Sequence, residues 1–272
     1  MLLDDLFGAL LRGGITAACV AALLLAAQRW GRDIAGLLAG LPTVTGPALV
    51  WLALDHGPSF GGQAAHGAVL AGAACAVFAL AYGRASLVMA RPGALCVASV
   101  LCLPPLALLF AAPLPLGAAL AVVVTVCLAC VQLLPRVASR ALPAPGRAAA
   151  VRAGLTTAMV SGAVSALASL LAPHLSALWA GALTSPPILA AAVAWELQRQ
   201  GCPARVLDFL RGYTAGLIGR CAFVAVFGAL LVPAGLLPAL VAALALALAL
   251  GWGTGVWMKW RHRIAVVQRT NP

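Results

Sequence analysis

Apolar stretches of about 20 residues follow one another along the chain, divided by short polar or Pro/Gly-rich connections. This pattern predicts membrane-spanning helices, roughly over 7–28, 34–54, 62–82, 93–111, 116–134, 151–172, 176–197, 210–231 and 236–258. A transmembrane barrel would show segments of about 10 residues with alternating polarity, and nothing here alternates. The fourth and fifth spans are the least well separated. Pro104–Pro105 interrupts one, and only Ala112–Pro113–Leu114–Pro115 divides them.

Two of the runs are interrupted at their centres. The second span carries Gly40–Leu41–Pro42–Thr43–Val44–Thr45–Gly46–Pro47, and the seventh carries Gly181–Ala182–Leu183–Thr184–Ser185–Pro186–Pro187. Proline lacks a backbone N–H and its ring clashes with the carbonyl four residues back, so both runs are expected to be helices broken near mid-membrane. Overlaying Gly40 on Gly181 also brings Thr43 onto Thr184 and Asp55 onto Glu196. Arg12–Gly13–Gly14–Ile15–Thr16 likewise resembles Arg152–Ala153–Gly154–Leu155–Thr156, while His66–Gly67 falls near Arg211–Gly212 and Phe78 near Phe223. Spans one to four therefore repeat as spans six to nine, with span five left over. An odd number of spans between corresponding helices inverts the second copy. The expected architecture is all-α, with about nine transmembrane helices in a 4+1+4 inverted-topology repeat. Its parts are a first repeat over 1–111, a connector over 112–147 that includes span five, and a second repeat with a short tail over 148–272.

Charge changes the picture by orienting it. Charged residues make up 8% of the chain and the mean hydropathy is +1.06, far from the roughly 25% charged residues of soluble domains. The net charge of +11 does not point to nucleic acid, because the arginines are scattered singly between apolar runs. Arg29, Arg32, Arg84, Arg91, Arg136, Arg140, Arg147, Arg199, Arg205 and the tail residues Lys259, Arg261, Arg263 and Arg269 all follow odd-numbered spans. The loops after even-numbered spans hold none. Under the positive-inside rule this alternation places the chain in a bacterial-type inner membrane, N-terminus outside and C-terminus cytoplasmic. The acidic start, Met1–Leu2–Leu3–Asp4–Asp5, lacks the positive region of a signal peptide. Trp30, Trp51, Trp257 and Trp260 are expected at the interfaces as aromatic anchors.

The run Ile34–Ala35–Gly36–Leu37, followed four residues later by Pro42–Thr43, resembles the opening of the second helix in the GlpM-like family of small four-helix inner-membrane proteins. The exit Asp55–His56–Gly57 is similar to the acidic residue and glycine that precede that family's third helix. The resemblance covers roughly residues 9–82, and the second half keeps only Gly181 and the displaced Pro186–Pro187. It implies a fused pair of such units, with span five supplying the inversion. The architecture is also loosely similar to that of drug/metabolite transporters, without their signature residues.

Candidate chemistry centres on the breaks. Interrupting a helix frees backbone N–H and C=O groups that are costly to leave unpaired in hydrocarbon. Thr43, Thr45, Thr184 and Ser185, flanked by Pro42, Pro47, Pro186 and Pro187, are placed either to satisfy those groups or to hold a solute. Each half-helix that restarts beyond a break offers its positive dipole end to mid-membrane. Arg220 falls deep in span eight, where an ionised guanidinium costs at least ~2.5–3.5 kcal/mol. It is read as a counter-charge for an anionic solute, or as a snorkelling or structural side chain. Asp55, Glu196 and His66 are candidate gates, or else solvated helix ends and a structurally satisfied imidazole. The eight cysteines are read as small packing residues. Cys127–Cys130 lies within a continuous helix, outside any zinc or redox context.

No Asp, Glu or Lys falls at mid-depth, which disfavours proton antiport, and no catalytic triad, metal-ligand spacing or phosphate loop is present. The expectation is a non-enzymatic transporter or permease-like protein for a small polar or anionic solute, without cofactor or metal. The alternative is a non-catalytic scaffold or accessory subunit of an envelope-synthesis complex. Partners on this reading are the bilayer and a small-molecule solute, not nucleic acid, with a homodimer or an envelope-complex partner left open.

Overall fold

The structure, a computed structural model, describes residues 2–29, 42–135, 147–199, 201 and 203–250. Gly36, Gly40, Trp30, Trp257, Trp260, Cys202 and the basic tail, all invoked above, lie outside the described residues. Among the described residues the regular structure is entirely helical. In chain order the helices are α1 (Leu2–Arg29), α2 (Thr45–His56), α3 (Pro58–Ala85), α4 (Arg91–Leu101), α5 (Leu103–Ala111), α6 (Leu116–Leu133), α7 (Arg147–Leu171), α8 (Ala177–Leu183), α9 (Ile188–Arg199), α10 (Pro203–Ala234) and α11 (Leu236–Leu250). Five stretches are long and apolar enough to cross a membrane: Pro58–Ala85, Arg91–Ala111, Leu116–Leu133, Gly154–His174 and Pro203–Ala234. The chain is thus a multi-pass helical membrane protein by length and composition.

The fourth span, expected over 93–111 with Pro104–Pro105 interrupting it, appears as one apolar stretch over Arg91–Ala111 made of α4 and α5. The two prolines occupy the first turn of α5, where a missing N–H costs no helix bond. One boundary differs. The eighth span, expected over 210–231, runs from Pro203 to Ala234, about 48 Å of helix against a hydrocarbon core of ~30 Å. Helix α10 therefore projects beyond the core or tilts within it.

Small residues let the long helices approach closely. A Cβ on Gly13 would lie 2.7 Å from the Gly162 carbonyl oxygen, and one on Gly162 would lie 2.6 Å from that of Gly13. With Gly13 also beside Ala166 and Gly162 beside Ala17, the register makes α1 and α7 antiparallel. By the same reasoning α3 and α10 are antiparallel, since Gly61 meets Leu231, Gly72 meets Cys221 and Gly83 meets Leu207. Gly67 abuts the Leu178 carbonyl and Gly181 abuts that of Ala64, which packs α8 against α3 in the antiparallel sense. Apolar packing supplies little association energy inside lipid, so close backbone approach of this kind carries much of the cohesion.

The bundle has two distinct ends. At one, Arg84 donates to Leu133 O (3.1 Å) and Arg211 to Leu134 O and Pro135 O (both 2.9 Å). These guanidinium groups serve the last carbonyls of α6, where helix-end negative potential favours cations. Gln198 joins the same end, accepting from Tyr82 (2.9 Å) and donating to Met89 O (3.0 Å), and Arg91 lies 5.3 Å over the Trp195 ring. At the other end Gly61 sits against Ala53 and Leu231, and Phe110 stacks on Trp179 at 4.5 Å. The described arginine-bearing connections thus gather at one end, called here the Arg84 end, with Asp55 at the opposite one.

Candidate functional site at the meeting of two helix breaks

The first interruption is described only from Pro42 onward, because residues 30–41 lie outside the described residues. Helix α2 begins at Thr45, and Gly46 N already donates to Pro42 O at 2.8 Å. Pro47 is a correction to the sequence reading: it lies in the first turn of α2 and breaks nothing, because its absent N–H would be unpaired there anyway. Pro42–Val44 is the non-helical stretch that leads into α2 among the described residues. The second break is described on both sides. Helix α8 ends in a turn in which Thr184 N donates to Gly181 O and Ser185 N to Ala182 O, both at 3.0 Å. Helix α9 then restarts beyond Pro187, whose carbonyl accepts from Ala191 N at 2.8 Å.

The two breaks touch. Thr45 Oγ1 donates to Thr184 O at 3.3 Å and lies 3.2 Å from Ser185 Oγ. With the Thr45 proton committed to Thr184 O, Ser185 is the donor in the second contact. Thr45, Thr184 and Ser185 are fully buried. Side chains serve several of the carbonyls at the interruptions. Ser161 of α7 donates to Thr43 O at 2.6 Å, Thr184 Oγ1 turns back to Gly181 O at 2.7 Å, and the Cys75 thiol of α3 donates to Ser185 O at 3.1 Å.

Arg220 completes the cluster. It sits roughly 25 Å from the start of α10 and roughly 21 Å from its end, close to mid-depth. One of its Nη2 hydrogens points to Cys75 Sγ at 3.6 Å, so the guanidinium reaches the second break through a thiol rather than through a carbonyl. Tyr213, two turns earlier on the same helix, and the neighbouring Cys221 share this buried environment with Cys75 and Arg220. Among the described residues no carboxylate pairs with Arg220. The ion pairs among the described residues include Arg12–Asp55, Arg199–Glu196 and Arg211–Asp208. A part-buried guanidinium set among Cys75, Cys221 and Tyr213, with no carboxylate paired to it among the described residues, is a positive charge suited to an anionic group.

Other sequence candidates fall elsewhere. Pro186 and Pro187 are part-buried and shape the turn, and Pro42 is buried against the Gly46 backbone. Asp55 lies at the far end of α2, paired with Arg12 at 2.8 Å, and Glu196 near the opposite end of the bundle is paired with Arg199 at 2.7 Å. Neither reaches the breaks. His66 is about 13 Å along α3 from Cys75, and its Nε2 is buried without a hydrogen-bond partner among the described residues. The indole N–H of Trp51 donates to Thr16 Oγ1 at 3.0 Å, tying α2 to α1.

Sequence reasoning missed Cys75, Ser161 and Tyr213. Cys75 was grouped with the packing cysteines, and nothing in its local sequence separates it from them. Ser161 did carry a signal, the spacing Ser161–Ser165–Ser169 along one face of a helix. No family model, no curated protein and no solved structure matches the chain.

Proposed function

We propose that the chain is an inner-membrane transporter or permease-like protein for a small solute bearing an anionic or strongly polar group. The carrying observation is the direct contact between Thr45 and Thr184–Ser185, two interruptions far apart in sequence, with Arg220 one thiol away. Broken helices that meet at mid-depth are a recurrent device for solute binding in secondary transporters. On this reading the chain is a 4+1+4 inverted repeat whose Arg84 end faces the cytoplasm. The antiparallel pairing of α1 with α7 and of α3 with α10 supports that arrangement, as does the segregation of arginines. The breaks then form the occluded site: Thr45 and Ser185 bond to each other where the solute's polar group would lie, and Arg220 supplies the counter-charge.

The test is uptake into proteoliposomes of a panel of small anions (acetate, lactate, succinate and inorganic phosphate), using wild type and Arg220→Ala. Arg220-dependent uptake of at least one member supports the reading. Folded, inserted protein that moves none of them, with Arg220→Ala tolerated in cells and a partner protein retained on purification, favours the scaffold alternative.

A further inference from the structure

Arg220 carries a positive charge to the level of the helix breaks, and no described carboxylate pairs with it. The chain has six carboxylate side chains. Asp55, Glu196 and Asp208 are paired with Arg12, Arg199 and Arg211. Asp4 and Asp5 stand in the first turn of α1. Asp33 precedes the second apolar run in the sequence and lies outside the described residues. The groups around the guanidinium are neutral: the Cys75 thiol at 3.6 Å, Tyr213, and Cys221, which packs on Gly72 one turn before Cys75. Such dipoles solvate a charge without cancelling it.

Among the described residues no second cation shares the site. Arg211, the preceding arginine on α10, is about 13 Å away along the helix and is bonded to the last carbonyls of α6. His66 is about 13 Å along α3 from Cys75. The site therefore holds one positive charge. A guanidinium keeps its proton in a protein, so the charge is there with or without a solute. A monoanion makes the loaded site neutral, whereas a dianion gives it a net negative charge. In alternating access the site is sealed from both sides as it passes from one to the other. Loaded with a monoanion, it makes that passage uncharged. Empty, it makes the passage as a bare cation at mid-depth, and the cost of such a charge slows the passage by on the order of 100-fold.

We infer that the protein is an obligate exchanger of small monoanions, carrying one inward only as it carries another outward. The lone charge of Arg220, set among neutral groups, imposes that coupling. The inference rests on the transport reading and goes beyond it, to the charge of the cargo and the coupling of its movement. Proteoliposomes are loaded with sodium lactate or with sucrose in one potassium buffer, and entry of radiolabelled lactate is followed. The pair is repeated with acetate. Valinomycin with equal potassium on both sides holds the potential at zero, so that charge build-up does not imitate coupling, and protein-free vesicles give the passive background. Exchange predicts initial entry at least roughly tenfold faster into anion-loaded than into sucrose-loaded vesicles, a floor set below the full penalty on the empty site. Equal entry into both overturns exchange and leaves the transport reading intact. Entry into neither, with succinate and phosphate tried in the same way, sinks the transport reading and the inference with it. Succinate exchanging at pH 8 as fast as lactate or acetate overturns the match to a single charge. Arg220→Gln keeps hydrogen-bond donors and removes the charge. Its loaded-to-unloaded ratio of entry should fall toward one, while Arg220→Lys, which keeps the charge, should hold the ratio near that of wild type. An unchanged ratio in Arg220→Gln places the coupling elsewhere and overturns the inference.

Discussion

The two helix interruptions match in sequence, yet they do unequal chemical work. The first contributes a hydroxyl: Thr45 reaches out across the interface, while the Thr43 carbonyl is taken by Ser161. The second contributes carbonyls: Thr184 O receives Thr45, Ser185 O receives Cys75, and the Thr184 hydroxyl is spent on Gly181 within its own turn. Across the contact the division of donor and acceptor is partial: Thr45 Oγ1 gives its proton to Thr184 O and receives one from Ser185 Oγ, and Thr184 O is the carbonyl that accepts there. The lesson is that two interruptions alike in sequence bond differently once packed.

That contrast is open to direct challenge. The largest effect is expected from Gly181→Val, because a side chain there meets the Ala64 backbone carbonyl, which cannot yield. Overpacking at a backbone contact costs ~3 kcal/mol or more, so insertion or Tm should collapse. Gly14→Val on α1, where no atom lies within 4 Å of the added carbon, should be tolerated in the same assay. Next is Arg220→Ala. If Arg220 balances an anionic solute, its removal should weaken solute affinity roughly 30-fold or more, as loss of a desolvated charge partner does. Arg220→Lys should recover part of this in the uptake assay.

The donor–acceptor division itself is tested by three threonine substitutions. Thr45→Val should cost ~1–3 kcal/mol of stability by orphaning Thr184 O and Ser185 Oγ, and Thr45→Ser should restore most of it. Thr43→Val should be close to silent, since only its carbonyl is used. Thr184→Val should lose only a local bond of ~1 kcal/mol. Equal costs for Thr43→Val and Thr45→Val, measured by denaturant or thermal unfolding in detergent, would refute the division. The smallest effects belong to the helix ends. Asp55→Asn should cost ~0.5–1 kcal/mol and Glu196→Gln less, because the Glu196–Arg199 pair is short-range and exposed.

Much of the framework was legible along the chain. Apolar runs, prolines at their centres and the one-sided spacing of arginines are local signals, and a membrane reads them residue by residue. The interruption at Pro186–Pro187 follows from local backbone chemistry. The exact partners were not legible. Pro47 looked like a second break because a proline's effect depends on which turn it occupies, and that depends on where α2 starts. That Trp51 bonds Thr16 was not legible either, because an indole N–H suits many acceptors and the sequence names none of them.

By itself, then, the sequence determined a multi-pass helical membrane protein with two weakened helices and a lone arginine at depth. Those properties arise from solvation and covalent geometry, which act on each segment separately. Only the tertiary structure decided that Thr45 meets Ser185 and that Cys75 carries Arg220 to the second break. Hydrogen bonds between distant segments depend on helix register and on close approach at Gly13, Gly67, Gly162 and Gly181, and register exists only once the helices have packed.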